Sequence, residues 1–283
     1  MSTDPRFEGL CAPGGRAVPS VAVVAAHPDD ETVGAGAQLR RWAAACPACH
    51  VIHVTDGAPH ERRFHPPSAL NLAREEYALL RRSEAVRALA LAGLGAAQIA
   101  CLGQRDQEVV FSLVEIAERL AGVLVELMPE VIVTHAYEGG HPDHDATAFA
   151  VRAAVGLARE RRAGAPPLIV EMTGYHDRRG ETVRGEFLPR AETDEAILEL
   201  TADDGLHKRS MLETFASQRQ VLQPFMAETS VERFRVAPVY DFTAPPHEGA
   251  LHYESADLGP PAATWRAFAK AAARTLGLAR RRS

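Results

Sequence analysis

Val21-Ala22-Val23-Val24-Ala25-Ala26-His27-Pro28-Asp29-Asp30-Glu31-Thr32 is the stretch that decides the fold. Its apolar start suits a strand buried on both faces, as in a parallel sheet covered by helices. A histidine and two adjacent carboxylates follow where that strand meets its loop. Residues 32–45 then read as a helix rich in small residues, with Leu39 and Trp42 three apart.

The same alternation continues along the chain. Residues 50–55 predict a second strand, ending at Asp56-Gly57, and 58–70 a surface loop holding Pro59, His60, His65 and Pro66. A helix over 74–94 is stopped by Gly93 and Gly95. Strands follow at 98–102, 131–136 and 168–175, and helices at 112–128 and 143–162; Leu113, Ile116, Leu120, Val123, Leu124 and Leu127 form an apolar stripe on the first of these helices. This order predicts an α/β protein with a Rossmann-like three-layer α/β/α core, a mostly parallel sheet and an irregular C-terminal extension. Right-handed crossovers bring the strand C-termini to one sheet edge, where ligands bind.

Three regions are expected. Residues 1–19 carry Pro and Gly without periodicity and read as an irregular arm; 20–176 form the α/β core; 177–283 pack on the same domain. In the last region, 178–196 suggest a hairpin, and Thr201-Ala202-Asp203-Asp204 opens a helix over 203–222 that ends before Pro224. The proline-rich stretch 236–261 reads as irregular. Trp265, Phe268, Ala272 and Leu276 mark a helix over 262–280, and the terminal Arg280-Arg281-Arg282 suits its C-terminal dipole better than a membrane.

Composition narrows the function. In 283 residues, 46% hydrophobic content allows a sizeable core. A net charge of −6 and a pI near 6.1 exclude nucleic acid as the main partner. No apolar run is long enough for membrane insertion, and Met1-Ser2-Thr3-Asp4-Pro5 lacks the start of a secretory leader, so a cytoplasmic location is expected. The four cysteines, Cys11, Cys46, Cys49 and Cys101, are too few for a disulfide scaffold. Cys46-Pro47-Ala48-Cys49 has CxxC form, but it follows a helix and has no second CxxC, so helix-end residues are a simpler reading than a redox or zinc site.

A second cluster follows the fourth strand: His135, then Gly139-Gly140-His141-Pro142-Asp143-His144. Two His-Pro-Asp loops, each after a strand, can meet at one sheet edge and hold a metal. Hydrolytic zinc sites use three protein ligands and leave a position for water, whose pKa falls from about 15.7 toward about 7. His27 and Asp30, three apart across a turn, and His144 from the distant loop are the expected ligands. Asp29 is placed to act as general base. His141 is placed to stabilise an oxyanion and protonate a leaving amine, and Asp143 to orient a histidine. A plainer reading makes Asp29 or Asp30 a helix cap; the recurrence of the pattern after two strands favours the metal.

Together the two motifs resemble the PIG-L/LmbE-like family of zinc-dependent N-acetylglucosamine deacetylases. The resemblance extends over roughly 20–250 and includes Thr55-Asp56-Gly57, Leu102-Gly103 and Phe215-Ala216-Ser217-Gln218. It implies catalytic Asp29 and His141, to which the reading above adds Asp143; metal ligands His27, Asp30 and His144; and a Zn²⁺ cofactor, with another divalent metal such as Fe²⁺ as the alternative. It also implies a small-molecule substrate, an N-acyl amino sugar or glycoconjugate, and is compatible with a homo-oligomer. A helix arginine, Arg81 or Arg82 (Arg82 being the assigned one), and Asp106 are the substrate-binding candidates. Thr32-Val33-Gly34-Ala35-Gly36 and Gln104-Arg105-Asp106 depart from the more usual family residues.

Three rivals remain. A Rossmann-type nucleotide-binding oxidoreductase would use Gly34-Ala35-Gly36 and Asp56, but Leu39 occupies the third glycine position and eight residues separate the first strand from Gly34. A non-catalytic binding relative would need neither Asp29 nor His141. An amidase acting on another acyl amide shares all of this chemistry.

Overall fold

The computed structural model describes residues 4–11, 17–46, 48–159, 161, 164–227 and 229–278. A seven-stranded sheet in the order β3-β2-β1-β4-β5-β9-β8 forms the centre. Its strands are β1 (Val21–Ala25), β2 (Cys49–Pro59), β3 (Ile99–Asp106), β4 (Val131–His135), β5 (Leu168–Met172), β8 (Glu195–Glu199) and β9 (Val231–Val236). The first five run parallel, and β9 and β8 add antiparallel pairings at one edge. The expected α/β fold with a mostly parallel sheet is therefore present.

Alternation along the strands explains the layers. Ala22 and Val24 of β1, Ile52 and Val54 of β2 and Ile132 of β4 point into one core, built with α4 (Leu113–Leu127), α5 (Pro142–Ala158) and α9 (Ala262–Thr275). Val21, Val23, Ala25, Val51, Val131 and Val133 point into the other. The second core is closed by α1 (Pro5–Cys11), α2 (Asp30–Ala45), α3 (Arg74–Leu91), α6 (Ala202–Glu213) and α7 (Arg219–Ala227). Apolar residues facing both sides explain why β1 reads as a continuous apolar run.

Helix α2 breaks at Ala35, whose φ of −145° is not helical. The break frees backbone donors, and the fully buried carboxylate of Glu232 on β9 accepts from Ala37 N at 2.8 Å and Gln38 N at 3.1 Å. Lys208 Nζ lies 2.9 Å from the same carboxylate. Gly34 and Gly36 serve this packing: a Cβ on Gly34 would lie 2.6 Å from Met172 Sδ, and one on Gly36 3.1 Å from Lys208 Cγ. The glycines thus let α2 approach β5 and α6, which removes the observation behind the nucleotide-binding rival.

Several local expectations change. Pro5–Cys11 is a short helix packed through Phe7 and Leu10, where no regular structure was expected. The hairpin consists of β6 (Tyr175–Arg178) and β7 (Glu181–Arg184), earlier than expected. The helix expected over 203–222 is two, α6 and α7, joined by a 3₁₀ turn at Ala216–Gln218, and Pro224 lies inside α7. One short helix, α8 (His252–Ser255), interrupts the irregular stretch. Pro47 and Arg280-Arg281-Arg282 lie outside the described residues. Cys49 is a free cysteine buried at the start of β2, and burial pushes its thiol up to about 12.

Candidate metal and catalytic site

The strand order reverses on either side of β1, so the ends of β1 and β4 form a topological switch point. Both His-containing loops leave the sheet there. The imidazoles of His27 and His144 have centroids 5.4 Å apart, and those of His27 and His141 4.5 Å.

Local interactions fix the first loop. Asp29 adopts φ 143°, a conformation rare for residues with a side chain. Glu31, fully buried, accepts from Asp29 N at 3.1 Å and contacts His53 Nε2 at 2.9 Å. The side chain of Asp29 makes no capping bond to α2; it faces Arg81, whose Nη2 donates at 3.0 Å and also reaches the Pro28 carbonyl at 2.8 Å. Asp30 Oδ2 accepts from His27 N at 2.8 Å and lies 3.1 Å from His27 Nδ1, while its Oδ1 lies 3.1 Å from His144 Nε2. The capping alternative therefore fails for Asp29, and Asp30 links both loops.

The second loop is held as firmly. The buried Asp145 carboxylate accepts from Glu138 N and Gly139 N, both at 3.1 Å. Gly140 has no space for a side chain, because a Cβ would lie 1.9 Å from the Tyr175 carbonyl oxygen. His141 caps α5: its Nδ1 accepts from Asp143 N at 3.2 Å. That assigns the ring proton to Nε2, which faces Asp106 Oδ1 at 4.0 Å. Asp143 accepts from Gln107 N and Val109 N and lies 3.3 Å from His27 Nε2. Asp106 Oδ1 is 3.0 Å from the same nitrogen.

Burial and close charges shift the titration of the whole cluster. Burial opposes a charge on His27, but Asp106 and Asp30 overcome it and hold the imidazole well above its ordinary pKa. Asp30 sits well below the usual carboxylate range; burial resists this, and His144, His135 and His27 drive it. Burial pushes Asp29 up to about 7 against the pull of Arg81. His141 is held well below its ordinary value by burial and by His27 and His144, so its ring is neutral.

Donor atoms within 4.8 Å of one another form three overlapping sets: His27, His141 and His144; His27, Asp106, His141 and Asp143; and Asp30, His135 and His144. The expected trio His27, Asp30 and His144 spans the first and third, joined through His144. None of the three sets holds the whole trio; His27 Nδ1 and His144 Nε2 each lie 3.1 Å from Asp30, through Oδ2 and Oδ1 respectively, and the clustered imidazoles and carboxylates are the donor types a divalent metal takes. His135, which sequence reasoning left unassigned, stacks on His144 with centroids 4.0 Å apart. Its Nε2 accepts from Ala26 N at 2.9 Å, which commits that lone pair.

A cavity of about 190 Å³ opens on this cluster and is lined by Asp29, Asp30, His27, His141, His144, Asp106 and Arg81. Arg81 lies in the site; Arg82, the assigned substrate residue, does not. Arg82 is exposed and lines a separate cavity of about 330 Å³ beside Asp56 and Arg74. Tyr77 and Gln218 were also missed: Gln218 Nε2 donates to the Tyr77 hydroxyl, which in turn is hydrogen-bonded to Arg81. Glu84 accepts from both the backbone and the hydroxyl of Ser217, pinning that segment to α3.

Fold and site together define a three-layer α/β protein with a metal-type His/Asp cluster at its strand ends. Residues 22–155 match the family profile described as PIG-L: GlcNAc-PI de-N-acetylase. A relative from Thermobifida fusca (strain YX), 1D-myo-inositol 2-acetamido-2-deoxy-alpha-D-glucopyranoside deacetylase, is 27% identical over 259 residues, covering 82% of this chain and 78% of the relative. The chain spans about half the length of the next curated relatives it matches. Among solved structures, N,N'-diacetylchitobiose deacetylase from Pyrococcus horikoshii superposes with a TM-score of 0.57 at 20% identity, covering 77% of this chain and 83% of that one. The zinc-inhibited form of teicoplanin deacetylase Orf2 gives 0.55 at 17%, covering 78% and 99%. These likenesses establish the shared fold. No helix among the described residues is long and apolar enough to cross a membrane.

Proposed function

We propose that this chain is a divalent-metal-dependent hydrolase that removes an acetyl or similar acyl group from the amide nitrogen of an N-acylated amino sugar conjugate. The observation that carries this reading is the meeting of two His-Pro-Asp loops on one cavity, with Asp29 and His141 beside the ligand candidates. The names of the three relatives given above, each a deacetylase, support the same class; the fold is also shared by GalB, a 4-carboxy-2-hydroxymuconate hydratase, so the class rests on the site residues.

His27, Asp30 and His144 would hold the metal, zinc by preference, which lowers the pKa of a water and polarises a carbonyl. Asp29, with a carboxyl raised toward neutrality, takes the proton of the attacking water. Arg81 fixes the direction of that carboxylate. His141 presents its Nε2–H to the oxyanion, and Asp29 returns the proton taken from water to the departing amine. Asp143 and Asp106 keep His27 in register. Asp106 was expected to bind substrate; its contact with His27 supports a positioning role.

The test is acetate release from a panel of N-acetylglucosamine conjugates by chelator-treated protein with and without added Zn²⁺, with mass spectrometry of the free amine. Metal-dependent acetate and amine in equal amounts support the reading; none on any conjugate at any zinc level contradicts it. Release of a different acid, with acetate absent, would favour the related amidase.

A further inference from the structure

We propose, resting on the reading above, that the sugar's aglycone is an apolar chain or ring and that it binds along α7. Besides its polar cluster the catalytic cavity is lined by Val33, Tyr175, Val221, Leu222, Phe225 and Leu258, of which Leu222 is buried in the core and Val221 is exposed. Val221 is 60% exposed although it lines the cavity, while the charged side chains Asp29 and Arg81 at the inner end are each under 10% exposed. The cavity therefore passes from a polar, chemical end to an apolar mouth. Val221 and Phe225 are four residues apart on α7 and share a face. Tyr175 continues that face, with its ring 6.2 Å from that of Phe225 and 5.5 Å from the imidazole of His144.

Charge argues the same way. Arg81 supplies the one Lys or Arg side chain among the described residues lining this cavity, and its Nη2 is committed to Asp29 and the Pro28 carbonyl. A phosphate or carboxylate entering the cavity would face Asp29, Asp30 and Asp106; a further guanidinium, Arg184, lies over the Phe225 ring at 5.8 Å. At about 190 Å³ the cavity falls below the roughly 300–1,000 Å³ of sites that enclose a drug-sized ligand. It holds the reacting amide end and leaves the remainder to lie on exposed apolar side chains. An exposed valine beside a half-buried phenylalanine at a cavity mouth is the surface such a group would cover.

The experiment measures kcat/KM for acetate release from free N-acetylglucosamine, its methyl and octyl β-glycosides, and its 1-phosphate, with zinc added. The octyl glycoside should exceed the methyl glycoside by at least about tenfold, and the 1-phosphate should be no better than the methyl glycoside. Val221→Asp should bring the octyl-to-methyl ratio toward one, and Phe225→Ser should lower it. Val239→Asp, at a position 86% exposed and outside the cavity, should leave the ratio as it is. Equal rates across the glycosides, or a preference for the 1-phosphate, overturn the inference while leaving the hydrolase intact. An unchanged ratio in Val221→Asp, with a changed oligomeric mass, overturns it in favour of contact between copies of this chain. No acetate from any compound removes the hydrolase reading, and this inference with it.

Discussion

The guanidinium of Arg81 lies 3.0 Å from the carboxylate of Asp29, and both side chains are buried beside the cavity. Removing the cation takes away the largest charge that opposes the burial of Asp29. Arg81→Met should cost about 3–5 kcal/mol in chemical denaturation of the metal-free protein. The double variant with Asp29→Leu should recover part of that loss. A single-variant loss below about 1 kcal/mol would show that the pair does not hold the site together.

Asp29, Asp30 and His141 are assigned different tasks, so their variants should fail differently. Asp29→Ala should retain one equivalent of metal by elemental analysis and lose most turnover. Asp30→Ala, which removes the carboxylate bridging His27 and His144, should lose metal. His141→Ala should retain metal and lower kcat by about 10²–10³. Metal loss in Asp29→Ala with retention in Asp30→Ala would reverse the assignment.

Glu232 satisfies donors freed by the break in α2. Glu232→Leu leaves Ala37 N, Gln38 N and the buried Lys208 ammonium without that acceptor. A loss of at least about 3 kcal/mol is expected in denaturant titration, with Glu232→Gln losing less because its amide oxygen still accepts. Equal stability of Glu232→Leu and the parent chain would contradict this account of the break.

His176 should make stability depend on pH. It is fully buried, and burial together with Arg178 pushes its imidazole down to about 4. The unfolded chain takes up this proton near pH 6.5, whereas the folded chain does so only near 4. The stabilisation is therefore fully present above about pH 6.5 and lost as pH falls toward 4. His176→Gln, which does not titrate, should flatten the acid side of a plot of melting temperature against pH. An identical slope in the variant would show that the ring protonates freely in the fold.

The core and the ligand loops were legible because their signals are contiguous: an apolar run, then His-Pro-Asp, repeated after β4. The antiparallel edge was not. Glu195–Glu199 and Val231–Val236 carry charges, and two of those charges, Glu232 and Arg235, are buried for reasons that lie far off in sequence. Glu232 serves α2, and Arg235 pairs with Glu138 and Glu171, so no local pattern announces them. Arg81, and not the expected Arg82, lines the catalytic cavity for a different reason. Neighbours on a helix point about 100° apart, and Tyr77, Arg81, Glu84, Ala85 and Ala88 form the buried stripe of α3. Periodicity alone places Arg81 on that stripe. Pocket residues such as Tyr175, Gln218 and Phe225 carry no spacing that ties them to the motifs; only the folded chain brings them there.

The central claim is that both loops share one cation. Crystals grown with a single equivalent of Zn²⁺ and measured at the zinc absorption edge test it directly. The account predicts one anomalous peak about 2.0–2.2 Å from nitrogens of His27 and His144 and an oxygen of Asp30. A protein that binds the metal elsewhere, or shows no peak among these three residues, would contradict it.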